Sequence, residues 1–264
     1  MLKRMHLFEF SDKPWVTGWV REGFMDCLAT IYRFAKPYDG FAAQLAQKFQ
    51  GRKVFDLSTG TGESIEFLLK YLKDNQEDKN TRIIGTDLFP NGAVLEIIKQ
   101  RYLHFDYINE PVNALNPCKD GNCSYTMFTA FHHFKPDAAV EIIRSCLSNG
   151  SDLTVFEFTS RHSLANYITA VVNTIQFMFV PFLAKKWRWR KFIFSTLIPI
   201  IPLMYVFDAI VSNLRTYTKE ELEELAQKAF PEGTINVEYQ EKRFSMFFKS
   251  YMCQFSLKVS EETL

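Results

Sequence analysis

The sequence has no C-x-x-C pair, no low-complexity run, no internal repeat and no excess of charge of either sign. Each absence removes a class of function. Five cysteines without paired spacing, with Cys118 and Cys123 flanking a Lys-Asp-Gly-Asn turn, provide neither a disulfide framework nor ligands at metal spacing. Reduced thiols in a reducing compartment, and no bound metal, are therefore expected. With 31 basic against 30 acidic residues the chain creates no whole-molecule field for nucleic acid, which makes such a partner unlikely. Near the N-terminus, Glu9 and Asp12 interrupt the apolar run that a secretory leader needs, so the expected location is cytoplasmic.

Apolar side chains are plentiful instead. They make up 47% of the 264 residues, enough for one large α/β domain with an insertion. The 26 phenylalanines are many for this length, and suit a large core, a lipophilic pocket or a membrane-facing surface.

Residues 1–50 read as a helical lead-in, broken at Pro37-Tyr-Asp-Gly40. The short apolar strand Lys53–Leu57 then runs into Ser58-Thr-Gly-Thr-Gly62. Beyond it Ile65, Leu68, Leu69 and Leu72 recur at helical spacing. Strands at Arg82–Thr86, Tyr102–Phe105, Tyr125–Thr129 and Leu153–Phe158 alternate with further helical stripes. This repetition of βα units predicts a doubly wound, mainly parallel sheet spanning residues 51–163. Residues 164–211 break the rhythm with two uncharged runs around Lys185-Lys-Trp-Arg-Trp-Arg-Lys191. In residues 212–264 a capping box at Thr218–Glu221 starts a last helix, and two β-like stretches close the fold.

Strand, glycine turn and helix in that order make a nucleotide-cofactor cradle, because glycine lets the backbone approach the ligand closely. Asp87, at the end of the second strand, stands where an acidic residue accepts ribose hydroxyls. A dinucleotide is the competing ligand. Ile65 occupies the place of the third glycine that a dinucleotide fingerprint uses for close packing, and Asp56 would sit badly beside two phosphates. The same Asp56 suits the ammonium group of a methionine moiety.

From Val54 to about Phe158 the chain resembles the core of class I S-adenosylmethionine-dependent methyltransferases. Their first motif is usually apolar-apolar-Asp-x-Gly-x-Gly-x-Gly; here Ser58 replaces the first glycine, and Gly60 and Gly62 match the next two. The resemblance implies a seven-stranded Rossmann-like fold and S-adenosyl-L-methionine as cofactor. It further implies Asp87 as ribose ligand, Leu88 as adenine neighbour, and Asn113 and Ala114 in place of an Asp-Ala pair at the adenine amine. Thr129-Ala-Phe-His-His-Phe134 resembles the family's Leu-His-His segment after the fourth strand. His132 and His133 are accordingly the candidate general bases, for an acceptor that keeps its proton at neutral pH. Glu157 and Arg161 are further candidates.

The resemblance says nothing about the acceptor. Long uncharged flanks around an aromatic, basic tip favour lipid headgroups over nucleic acid, and hence a lipophilic small-molecule or lipid-like acceptor. Residues 164–211 would then form an interfacial hairpin or lid. Two true crossings would expel Lys185, Lys186, Arg188, Arg190 and Lys191 to the outer face, against the cytoplasmic bias of such charges, and Pro199 and Pro202 would interrupt the second run. An RNA or protein methyltransferase docking through the tip, and a non-catalytic cofactor-binding scaffold, are the alternatives.

Overall fold

The computed structural model describes residues 2–13, 15–16, 18–75, 80–118, 120, 123–148, 150–183 and 188–258. Five parallel strands form its centre: β1 (Lys53–Leu57), β2 (Arg82–Thr86), β3 (Phe105–Tyr107), β4 (Ser124–Phe128) and β5 (Asp152–Glu157). With β6 (Ile235–Arg243) and β7 (Lys249–Leu257) they make one seven-stranded sheet in the order β3-β2-β1-β4-β5-β7-β6. Only β7 runs against its neighbours, β5 and β6. Strands β4 and β5 are buried along their whole length, as expected for a sheet covered on both faces. On one face lie α5 (Pro136–Leu147) and α9 (Lys219–Ala229); on the other lie α2 (Ala42–Lys48), α3 (Glu63–Asn75) and α4 (Gly92–Arg101). The strand order reverses between β1 and β4, which opens a crevice at their C-terminal ends.

The expected class is thus observed, with differences at its margins. The third strand begins at Phe105, and the final hairpin runs longer than the sequence pattern suggested. The lead-in is not helical throughout. Helix α1 (Gly18–Ala35) starts only at residue 18, and residues 2–13 form a strap across the insertion. Tertiary partners explain this: Asp208 accepts the backbone N–H groups of Phe10 and Ser11 at 2.7 and 2.8 Å, so the strap's donors are satisfied without a helix.

The insertion carries α6 (Leu164–Phe177), a short turn, α7 (Trp189–Phe192) continuing as a π-helical turn to Leu197, and α8 (Ile200–Arg215). Pro199 and Pro202 do not break α8; they stand at its N-cap and in its first turn, where a missing N–H costs nothing. Among the described residues no single helix is long and apolar enough to cross a membrane, although the segment Trp189–Leu197 with Ile200–Arg215, bent by 71°, passes on length and composition. Of the basic tip, Lys185, Lys186 and Trp187 lie outside the described residues. Two of the others are already committed: Arg188 pairs with Glu22 at 2.7 Å and buried Lys191 with Asp26 at 2.5 Å, both on α1.

Helix α6 carries an apolar stripe on its outer face, inverted for a protein surface. Asn166, Thr169 and Asn173 line the cavity beside buried Ala170 and Phe177, while Leu164, Ile168, Val171, Val172 and Ile175 are exposed. The exposed set repeats at three- and four-residue intervals and carries no charge.

Candidate active site

Strand β1 ends in a loop with three left-handed residues, Ser58 at φ +68°, Gly60 at +58° and Gly62 at +79°. Ser58 holds this conformation at a cost of about 1–2 kcal/mol that glycine would escape. Gly62 is required for packing: a Cβ there would lie 2.4 Å from Ile98 Cδ1. Asp56 sits behind the loop, buried, and accepts the hydroxyls of Thr126 at 2.8 Å and Thr59 at 2.9 Å. Burial pushes its carboxyl up to about 7, against the pull of those two hydrogen bonds. Asp87 joins the ends of β1 and β2. It accepts the N–H of Gly60 and that of Phe89, each at 2.8 Å, and its outer lone pairs remain on the cavity wall.

The cavity has a volume of about 1010 Å³. Ser58, Gly60, Asp87, His132 and His133 line it. Asp56, Gly62, Leu88, Asn113 and Ala114, expected beside the cofactor, lie outside this lining. Asp56 and Gly62 shape the loop from behind. Leu88 turns outward and Phe89 takes its place at the wall; Asn113 caps the N–H of Leu115 at 3.0 Å, and Ala114 packs into the core. The opposite wall comes from α1, α6 and α8, and includes Phe24, Leu28, Tyr32 and Phe177. Arg21 on α1 holds three backbone carbonyls and lies over the Phe89 ring at 4.8 Å.

Strands β4 and β5 pair in register, Phe128 with Phe156, so the residues just beyond their ends meet. There Glu157 faces His132. Both carboxylate oxygens lie near Nδ1, at 2.9 and 3.0 Å, and the backbone N–H of His132 donates to the same carboxylate at 3.2 Å. Thr159 donates to it as well, at 3.2 Å. A carboxylate accepts only, so Nδ1 carries the hydrogen, and in the neutral imidazole Nε2 keeps its lone pair. His132 is 1% exposed, and its Nε2 has no hydrogen-bond partner.

His133 is placed differently. Its Nδ1 is 2.8 Å from Asp12 and 3.2 Å from Glu9, and its side chain is part-exposed. Burial alone would lower this imidazole, but the two carboxylates outweigh it and raise it to about 9. It is the cation of an ion pair, already protonated at neutral pH and so not free to take a proton. Asp12 is held well below the usual carboxylate range by His133 and Arg215, against the opposing effect of burial. Arg215 on α8 completes the group, 2.7 Å from Asp12 and 3.3 Å from Glu9. Arg4 of the strap donates to the carbonyls of His132 and Phe134 at 3.0 and 2.9 Å, fixing the turn that bears both histidines. Arg161, the other sequence candidate, pairs with Glu221 at 2.6 Å and does not line the cavity.

No protein-family model matches the chain, and no curated protein matches it. Solved structures do. One is an O-methyltransferase from neocarzinostatin biosynthesis, NcsB1, in complex with S-adenosyl-L-homocysteine and 1,4-dihydroxy-2-naphthoic acid. It is similar at a TM-score of 0.53 and 16% identity, over 90% of this chain and 58% of that one. The CMeT domain of the citrinin polyketide synthase gives 0.52 and 11% over 88% and 56%, and the pyocyanin biosynthetic protein PhzM gives 0.50 and 14% over 84% and 54%. The chain spans a little over half the length of these proteins. At these identities the likeness is one of fold: the chain has the Rossmann-like fold of S-adenosylmethionine-dependent methyltransferases.

Proposed function

We propose that this protein is a methyltransferase that uses S-adenosyl-L-methionine to methylate a hydroxyl group of a lipophilic small molecule. The observation that carries the reading is the His132–Glu157 pair. It holds a buried imidazole at the wall of the cavity that the Gly60 loop and Asp87 also line.

The residues present fit the cofactor. The left-handed Gly60 exposes backbone at the wall, and the outer lone pairs of Asp87 suit two vicinal ribose hydroxyls. Bound there, S-adenosyl-L-methionine supplies an electrophilic sulfonium methyl. Aromatic and aliphatic side chains of α1 and α6 exclude water and align an apolar acceptor. His132 Nε2 takes the acceptor's proton, and Glu157 stabilises the imidazolium that results. Calorimetry with the cofactor, followed by transfer of labelled methyl to a panel of apolar phenols, tests this. Binding without transfer to any hydroxyl acceptor would remove the catalytic half of it.

The inverted face of α6 supports a finer reading, in which the protein lies on the inner membrane surface and draws its acceptor from the bilayer. Uncharged apolar side chains point outward, Asn166, Thr169 and Asn173 line the cavity, and exposed Trp189 with Arg190, elsewhere on the insertion, suits the headgroup level. Flotation with liposomes, anionic and neutral, is the measurement; a protein that remains in the soluble fraction with both would make α6 a lid instead.

A further inference from the structure

Glu9, His132 and His133 each bring one ligand-type atom to a common point, and these atoms lie within 4.8 Å of one another. Two-imidazole, one-carboxylate sets bind zinc and related divalent ions, with ligand atoms about 3.4 Å apart around a tetrahedral ion. Three further features point to an ion. His132 Nε2 is a buried nitrogen without a partner among the described residues, on one of the three clustered side chains. Its Nδ1 is held by Glu157, the carboxylate–histidine arrangement that orients metal-binding imidazoles. Glu9 is likewise fixed, by the Ser212 hydroxyl at 3.0 Å.

Charge agrees. The side chains touching the two imidazoles are Glu9, Asp12 and Glu157 against Arg215, three negative groups and one positive. That leaves two negative charges, which one divalent cation balances. The sequence showed no metal spacing because Glu9 reaches the histidines only through the folded strap.

We propose that Glu9, His132 and His133 form a binding site for a divalent ion of zinc chemistry at the acceptor end of the cavity, and that its occupation silences methyl transfer. The silencing rests on the function proposed above, since the lone pair that binds the ion is the one that takes the acceptor's proton. The site itself does not.

Chelator-treated protein titrated with zinc chloride by calorimetry, with cobalt(II) absorption reporting ligand geometry, tests the site. One ion should bind per chain. Glu9→Gln and His133→Gln should each weaken binding at least ~10-fold, and Glu157→Gln by ~10–100-fold through loss of the orienting carboxylate; circular dichroism establishes which variants are folded. No binding by the unsubstituted protein, or one affinity shared by all folded variants, overturns the site. Transfer measured in chelator and then with zinc tests the silencing. Inhibition competitive with the acceptor supports it, and a rise in transfer overturns it. Absence of transfer in every condition, with variant-dependent zinc binding intact, removes the methyltransferase reading and leaves the metal site standing.

Discussion

Glu157 accepts the Nδ1 hydrogen of His132 within a setting where neither side chain reaches solvent. An imidazole so held has one tautomer and one orientation. His132→Gln should therefore lower the rate of methyl transfer by ~10²–10⁴-fold in chelator-treated enzyme, while cofactor affinity stays within twofold. Glu157→Gln should lower kcat and leave the acceptor KM nearly unchanged, because it alters the base without touching the acceptor. Equal loss of cofactor affinity in both variants would show a collapsed site in place of a missing base.

Asp87 is expected to carry the ribose hydroxyls. Replacing it with Ala should weaken S-adenosyl-L-methionine binding by ~1–3 kcal/mol, the range for leaving buried hydrogen-bonding groups unpaired. The same change removes the acceptor of the Gly60 N–H, so the measurement pairs calorimetry with thermal unfolding in the absence of cofactor. An unchanged affinity would exclude Asp87 from the cofactor site.

How much of this was legible in the sequence depends on the range of the interaction. The cradle was, because β1, its glycine turn and α3 are adjacent in the chain and each has a local signature. The two histidines were located but not told apart. Choosing between them needs the register of β4 against β5, which brings Glu157 to His132, and the strap, which brings Asp12 to His133. Asn113 and Ala114 fell in a loop whose side-chain directions no periodicity specifies. The uncharged run of α6 was visible, but its inside face was not, since an apolar stripe predicts burial and here the stripe is on the outside.

Asp56 links stability to pH. Its carboxyl is raised to about 7 in the folded protein against 3.8 for an unperturbed one, so between those values the native state binds more protons than the unfolded. The stability this group contributes is fully present below about pH 4 and is lost as pH rises through about 7. Asp56→Asn keeps an oxygen acceptor for one of the Thr126 and Thr59 hydroxyls, turns an NH2 donor to the other, and cannot ionise. Urea unfolding of both proteins at pH 4, 5.5 and 7.5, without cofactor, should show the difference between them shifting in favour of the variant as pH rises. A constant difference would mean that Asp56 stays ionised.

The exposed face of α6 can be changed without disturbing the cavity. Ile168→Asp with Ile175→Asp should abolish flotation with liposomes and leave the melting temperature within a few degrees, because both side chains are already outside. Loss of transfer to a bilayer-borne acceptor, with transfer to a soluble analogue retained, would place the defect at delivery. Unaltered flotation would assign the face to another contact.

Between Asp12 and Arg215, and between Arg4 and the carbonyl of the same arginine, more than two hundred residues intervene. The strap precedes α8 in the chain and can close on it only once strands β1 to β5, which lie between them, have had the chance to pair. Contacts separated so widely are slow to close, and a unit that joins late through a few polar links can also leave early without melting the sheet. The two histidines would then be complete only while the strap is down. Weakening the strap's polar links should thus disturb chemistry more than folding, and the earliest event on mild warming should be loss of the Glu9–Arg215 contact, with the cradle at Gly60 still in place.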